Sequence, residues 1–280
     1  MTDDDHALAR ELAAAAGRRL LELRAGGSGD EPDLLRKAGD RSSHEFLAAE
    51  LARRRPGDVV LSEEGADNPA RLAATRVWIV DPLDGTREFG EPGRTDWAVH
   101  VALWERNEAG DGGDLTAGAV ALPGQGTVLS TTAAGEQQRW SIDAASTTPM
   151  DHRGGDALGG IRGGDRRIRV VVSRTRAPRF VQDISALVDL ELVPMGSAGA
   201  KVAAVVEGRA DAYIHGGGFY EWDTAAPVAV ARAAGFHASR IDGSALAYNR
   251  VNLLMPDILV CRPALAGSLL QAIREVTHAS

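Results

Sequence analysis

Apolar residues at helical spacing open the chain. Leu8, Leu12, Ala16, Leu20 and Leu23 form one stripe and predict a helix over 5–24, stopped by Gly26-Gly27. A second helix is predicted over 41–55, with Phe46, Leu47 and Leu51 inward and Ser42 and Glu45 as a capping box. Asp40 falls just before that start, where a helix terminus holds a carboxylate. The pattern then changes to short, β-branched and aromatic apolar runs at 59–62, 77–80, 97–104, 115–122 and 127–132, which predict an antiparallel meander. Only His100 interrupts the apolar run over 97–104. Periodicity is lost from 133 to 165, where six glycines fall within 151–164. This predicts a surface excursion or disordered loop, and a junction between halves 1–145 and 146–280. The second half alternates. Strands at 168–172, 192–195, 210–214 and 258–261 are interleaved with helices at 177–188, 198–206, 222–234 and 263–278. The whole reads as an α/β (α+β) fold.

Composition narrows the function. The 280 residues carry 31 basic and 39 acidic side chains, a net charge of −8, which argues against a basic platform for a nucleic-acid polymer. Small anionic substrates stay open, since a bound metal supplies local positive charge. The single cysteine, Cys261, ends an apolar strand and reads as a buried, inert thiol. The start of the chain, with Asp3-Asp4-Asp5, has no basic segment leading into an apolar run. No stretch reaches the roughly 18 apolar residues of a membrane span. A soluble, cytoplasmic protein is the expectation.

The chemistry centres on Asp81-Pro82-Leu83-Asp84-Gly85-Thr86, directly after the 77–80 strand. A buried strand that ends in two acids needs a compensating cation, because unpaired buried charge is costly. Glu63-Glu64 end another strand, and Asp223 opens a helix. Oxygen ligands of this kind suit magnesium, with Asp81 the natural bridge between two ions. Spacing tests the neighbouring readings. An EF-hand loop counted from Asp81 would need oxygen ligands at Leu83 and Pro92, so it fails. Phosphatases with an aspartyl nucleophile space their two acids by one residue, and here two intervene. Neither a serine elbow nor an HExxH pattern is present, and Gly216-Gly217-Gly218 lacks the lysine of a nucleotide loop.

Three motifs, Ser62-Glu63-Glu64, Asp81-Pro82-Leu83-Asp84-Gly85-Thr86 and Trp222-Asp223-Thr224-Ala225-Ala226-Pro227, resemble the inositol monophosphatase superfamily of magnesium-dependent, lithium-sensitive phosphatases. Arg87-Glu88-Phe89, Val172-Ser173-Arg174, Gly196-Ser197-Ala198-Gly199-Ala200-Lys201 and Glu221 before Trp222 are most similar to its CysQ branch of 3′(2′),5′-bisphosphate nucleotidases, of actinobacterial type. The resemblance implies a layered α/β/α/β/α sugar-phosphatase fold, a homodimer, and two to three Mg²⁺ per site. By motif position, Glu63, Asp81 and the Leu83 carbonyl would bind one ion, and Asp81, Asp84 and Asp223 another. Glu63 would also orient the attacking water, which Thr86, paired with Asp40, would polarise. Gly85 and Thr86 would hold the phosphate, and Arg87, Ser173, Arg174, Ser197, Lys201 and Glu221 the rest of the substrate. The implied reaction removes the 3′-phosphate of adenosine 3′,5′-bisphosphate, a step tied to sulfate assimilation. Inositol-1-phosphate or fructose-1,6-bisphosphate hydrolysis is the alternative within the class. A silent binder of phosphorylated metabolites is the alternative outside it.

Plainer roles stand beside these. Asp223 and Asp40 are also good helix caps. Glu64 reads as a solvated acid near the cluster, and Lys201 as an exposed cation at a helix start. His100, His215 and His237 read as structural histidines, and Trp78 and Trp97 as packing residues.

Overall fold

The computed structural model describes residues 4–26, 31–143, 148–150, 167–175 and 177–278. Helix α1 (Asp5–Gly26) matches the opening stripe. Helix α2 (Pro32–Arg54) begins well before the predicted residue 41. Its first turn carries Pro32, whose fixed φ suits that position, but Leu34 is 61% exposed, so no inward stripe marks these turns in the sequence. Ser42 and Glu45 therefore lie inside the helix and form no capping box, and Asp40 sits in mid-helix rather than at a terminus.

Strands β1 (Val59–Ser62), β2 (Arg76–Asp84), β3 (Ala98–Arg106), β4 (Gly113–Leu122), β5 (Thr127–Thr131) and β6 (Gln137–Ser141) form one sheet in chain order, with the short helix α3 (Thr86–Gly90) after β2. β1 and β2 are parallel; the remaining pairs are antiparallel, as the meander predicts. β6 lies in the stretch expected to be irregular: its polar residues hide a strand whose Trp140 packs inward. The glycine-rich run over 151–164 lies outside the described residues.

The second half supplies β7 (Ile168–Ser173), α4 (Arg179–Ile184), β8 (Leu190–Met195), α5 (Ala198–Val206), β9 (Ala212–His215), β10 (Phe219–Tyr220), α6 (Glu221–Ala233), β11 (His237–Ser239), β12 (Leu254–Met255), β13 (Ile258–Cys261) and α7 (Pro263–His278). Five of these strands form a second sheet, ordered β11-β13-β9-β7-β8, and β10 pairs with β12 in a short ribbon. α4 is shorter than predicted, and β10, β11 and β12 are too short to carry a period.

The layers follow from strand alternation. On β2, Trp78 and Val80 lie on the α2 side, in one core cluster with α1, while Val77 and Ile79 lie on the α6 side, in one cluster with α5. On β7, Val170 and Val172 face α4 and α7, and Val171 faces inward. The order is thus helices, sheet, helices, sheet, helices: the layered α/β/α/β/α fold. Sheets covered on both faces explain the continuous apolar runs. The middle core joins both halves, with Val77 and Ile79 packed in one cluster with Val205, Tyr213 and Ala226. Trp78 and Trp97 are fully buried packing residues. Cys261 is buried in the outer core, where loss of hydration pushes its thiol up to about 12. That keeps it a protonated, inert thiol. No described helix is long and apolar enough to cross a membrane.

Candidate active site

The site forms where β2 ends. β2 pairs with β3 through Asp81 opposite His100 and Asp84 opposite Ala98, and the register slips between them. Pro82 lies in that bulge, a position in a strand that tolerates its missing N–H. The buried Ser43 hydroxyl of α2 donates to the Pro82 carbonyl at 2.7 Å and pins the bulge. Gly85 follows with φ of 87°, a left-handed turn that aims the chain into α3. The Thr86 hydroxyl there shares its proton between the Leu83 carbonyl at 3.0 Å and Asp40 Oδ1 at 3.2 Å. Asp40 reaches it because Gly39 brings α2 close: a Cβ there would stand 2.8 Å from the Phe89 ring.

One oxygen from each of Asp81, Asp84 and Asp223 lies within 4.8 Å of the others. Asp223 arrives from the first turn of α6, and its Oδ2 accepts the Tyr220 N–H at 2.6 Å. The helix-cap reading and the cluster reading of Asp223 therefore hold together. Burial, then Glu63, Asp84 and Asp223, raise Asp81 well above the usual carboxylate range. Burial and then the Asp84 charge raise Asp223 to about 6. Glu63 is exposed as a residue, yet its carboxyl faces the acids. Loss of hydration there, then the Asp223 charge, raise it to about 7 despite a hydrogen bond with Asp81. Burial and the Glu64 charge raise Asp40 to about 6. Asp84 differs. Burial alone would raise it, but the His100 contact, the Lys201 charge and the Ser197 hydroxyl outweigh that and lower it. A set of oxygen donors crowded by its own negative charge fits a hard divalent cation such as magnesium.

Beside the acids lies a cavity of about 600 Å³ that reaches Asp84, Gly85, Ser173 and Asp223. This is a size that takes a small organic ligand. Arg87 lines it, exposed and with no hydrogen bond among the described residues. Lys201 also lines it but is buried, not solvated as its helix-start position suggested. Its Nζ stands 3.5 Å from the Met195 carbonyl, and burial lowers its pKa. Arg174 reaches the cavity with its charge already matched by Glu88 at 2.7 Å and Glu91 at 2.8 Å. Ser197 donates to Asp84 Oδ2 at 2.5 Å, so its hydroxyl serves the acid rather than standing free for substrate.

Glu221 does not come to the cavity. It is fully buried and accepts the backbone N–H groups of Asn249 at 2.6 Å and Arg250 at 2.9 Å. The expectation that it contacts the substrate is corrected: both oxygens already hold backbone. The same Asn249 receives the buried Arg71 guanidinium at 2.9 Å, tying the base of α6 to the segment after β1. His215 lines the cavity with Tyr213 and Phe219, whereas His237 bonds Ser239 away from it at 2.8 Å. His100 is fully buried and touches Asp84. Its sequence signal, one polar residue in an apolar strand, was visible; its partner was not. Ser43 left no signal among the neighbouring polar residues of α2.

The Inositol monophosphatase family matches residues 4–278. The chain belongs to the inositol monophosphatase family. Within that family, a 3′-phosphoadenosine 5′-phosphate phosphatase of Mycobacterium leprae is 48% identical over 275 residues, 97% of this chain and 94% of the relative. The 3′(2′),5′-bisphosphate nucleotidase CysQ of Escherichia coli K12 is 32% identical over 228 residues, 80% of this chain and 83% of the relative. Among solved structures, CysQ from Bacteroides thetaiotaomicron superposes with a TM-score of 0.74 at 25% identity, covering 92% of this chain and 97% of that one. Inositol monophosphatase II of Staphylococcus aureus gives the same TM-score of 0.74 at 20% identity, over 95% and 94% of the two chains, and shows the shared fold. The layered architecture is thus the family's own, and the acid cluster agrees with the family's metal dependence.

Proposed function

We propose that this chain removes the 3′-phosphate of 3′-phosphoadenosine 5′-phosphate, giving AMP and inorganic phosphate. The observation that carries the substrate is the 48% identity to the M. leprae phosphatase, which spans 97% of this chain. Water attacks phosphorus, the bond to the ribose 3′ oxygen breaks, and that oxygen takes up the proton that the water gives up. Glu63, Asp81, Asp84, Asp223 and the Leu83 carbonyl would hold two to three Mg²⁺. When bound, Mg²⁺ supplies positive charge for the phosphate and the leaving oxygen, and acidifies water.

The chain's own groups do the rest. The Thr86 oxygen would accept a hydrogen bond from the attacking water while its own proton is shared between the Leu83 carbonyl, 3.0 Å away, and Asp40 Oδ1 at 3.2 Å. This fixes the water's direction of attack, the positioning part of catalysis. Gly85 and Thr86 cradle the transferred phosphate. Arg87 and Lys201 face the cavity as cations for a doubly phosphorylated substrate, and among the described residues Arg87 has no hydrogen-bonded partner to give up. Ser173 contributes at the rim. Arg174 orders the Glu88–Glu91 wall, with both glutamates on its guanidinium. A cytoplasmic homodimer working in sulfate assimilation completes the reading, supported by family resemblance.

Turnover of 3′-phosphoadenosine 5′-phosphate, inositol-1-phosphate and fructose-1,6-bisphosphate, side by side with magnesium, tests the substrate. The bisphosphate nucleotide should be fastest by kcat/KM. Equal or faster hydrolysis of inositol-1-phosphate overturns the substrate. Release of no phosphate from any of the three overturns the activity.

A further inference from the structure

Asp84 presents its two oxygens unequally. Oδ2 receives the Ser197 hydroxyl at 2.5 Å and the Gly199 N–H at 2.8 Å, and His100 Nε2 stands 3.2 Å from it. A carboxylate oxygen has two lone pairs, so Oδ2 is saturated and Oδ1 is left for a cation. The opposite nitrogen of His100, Nδ1, lies 3.1 Å from the carbonyl of Trp222, the residue before Asp223. One fully buried ring therefore spans the gap between β3, the end of β2 and the first turn of α6. Both of its neighbours are acceptors. Nε2 approaches Asp84 Oδ2 closely without an aligned hydrogen bond.

Strand parity sends the ring there. His100 shares the β3 face of Ala98 and Ala102, which turns toward the middle helices. Gly199 makes room for it: a Cβ at 199 would stand 2.1 Å from His100 Nε2. The glycine therefore admits both its own amide and the imidazole to the same oxygen. The ring is sealed from solvent, so it acts through Asp84 and not on substrate.

We propose that His100 is a positioning residue that fixes Asp84 against the first turn of α6, so that Asp84 Oδ1 and Asp223 meet one cation at a set spacing. This rests on the metal-binding reading of the acid cluster. Partners behind a metal ligand commonly change affinity by about 10–100-fold when lost. The same range is expected here.

The test is manganese binding to the full-length protein, followed by the loss of the free-ion electron paramagnetic resonance signal, with near-ultraviolet circular dichroism to verify folding. His100→Asn keeps a donor for the Trp222 carbonyl and loses the reach to Asp84. It should bind manganese about 10–100-fold more weakly than the unaltered chain. His100→Gln keeps a donor near the Nε2 position and should stay within roughly threefold. If His100→Asn does not fold, Ser197→Gly removes another Oδ2 donor at a residue whose φ is already 49°, and should weaken binding about tenfold. Unchanged affinity in folded His100→Asn, or in Ser197→Gly where that replaces it, overturns the proposal. So does equal weakening in His100→Gln and His100→Asn, which would make the ring a packing element. Failure of the unaltered chain to bind manganese overturns the metal reading itself, and this inference with it.

Discussion

Asp81 and Asp84 stand three residues apart at the end of one strand, yet the fold treats them oppositely. Asp81 is surrounded by other acids, with the Leu83 N–H at 3.0 Å as its backbone donor, and its carboxyl is raised well above the usual range. Asp84 is met by a hydroxyl, an amide and an imidazole, and its carboxyl is lowered. The first is a ligand in want of positive charge. The second is held in its charged form by the protein before any cation arrives. A metal site of this kind needs both: a crowded acid gives affinity, and a fixed acid gives geometry.

The sharpest way to break that comparison is to neutralise each acid in turn. Asp81→Asn and Asp84→Asn should each cut kcat/KM by on the order of 1,000-fold, about 4 kcal/mol of transition-state stabilisation. Their metal-free proteins should differ in sign. Asp81→Asn removes a buried acid that the metal-free folded chain must hold protonated, and should raise the melting temperature measured in chelator at neutral pH. Asp84→Asn strips the charged acceptor from Ser197 and Gly199 and should lower stability by roughly 1–3 kcal/mol. The same direction of shift in both would remove the distinction. Phosphate release by Asp84→Asn at the unaltered rate would remove the catalytic reading.

A smaller effect separates binding the cation from directing the water. Thr86→Ala should reduce kcat by about 10–100-fold while the magnesium concentration for half-activity stays within roughly threefold. A kcat loss that excess magnesium restores would place Thr86 with the ligands instead. Smaller again, Arg87→Ala should raise KM for the bisphosphate nucleotide about tenfold with little change in kcat, since it removes an ion pair made throughout the reaction. An unchanged KM would assign the substrate's second phosphate elsewhere.

The pH dependence of stability compares the two acids at once. Glu63 at about 7, Asp223 at about 6 and the raised Asp81 keep protons in the folded chain that the unfolded chain has lost. Unfolding then releases protons, so metal-free stability falls as pH rises from about 4 to about 7. Asp84, being lowered, contributes stability that is lost only below that window as pH falls through its folded value. Magnesium replaces those protons, so the gap in melting temperature with and without it should widen by a few degrees from pH 5 to pH 7.5. A gap that stays constant or narrows would count against the crowded-acid description.

How legible the site was depended on where each residue's partner lay. Glu63, Asp81 and Asp84 end apolar strands, and Asp223 begins a helix, so a local pattern marks all four. Asp40 was found by motif but misplaced at a helix start, because the exposed first turns of α2 carry no apolar stripe. Glu221, beside Trp222 and Asp223, was read as a substrate contact. Its carboxylate instead holds the amides of Asn249 and Arg250, and their approach depends on a chain segment folding back on α6.

By itself the sequence determined the alternation of strands and helices, the family, and which acids gather. Those properties follow from periodicity and short motifs, which the chain carries locally. Tertiary structure alone decided the state of each acid. Two aspartates of the same motif diverge because Ser197 and Gly199, more than a hundred residues on, and His100, across the β3 register, all converge on Asp84. Electrostatic environment is a sum over space rather than over sequence, so only the packed layers could make one acid crowded and its neighbour fixed.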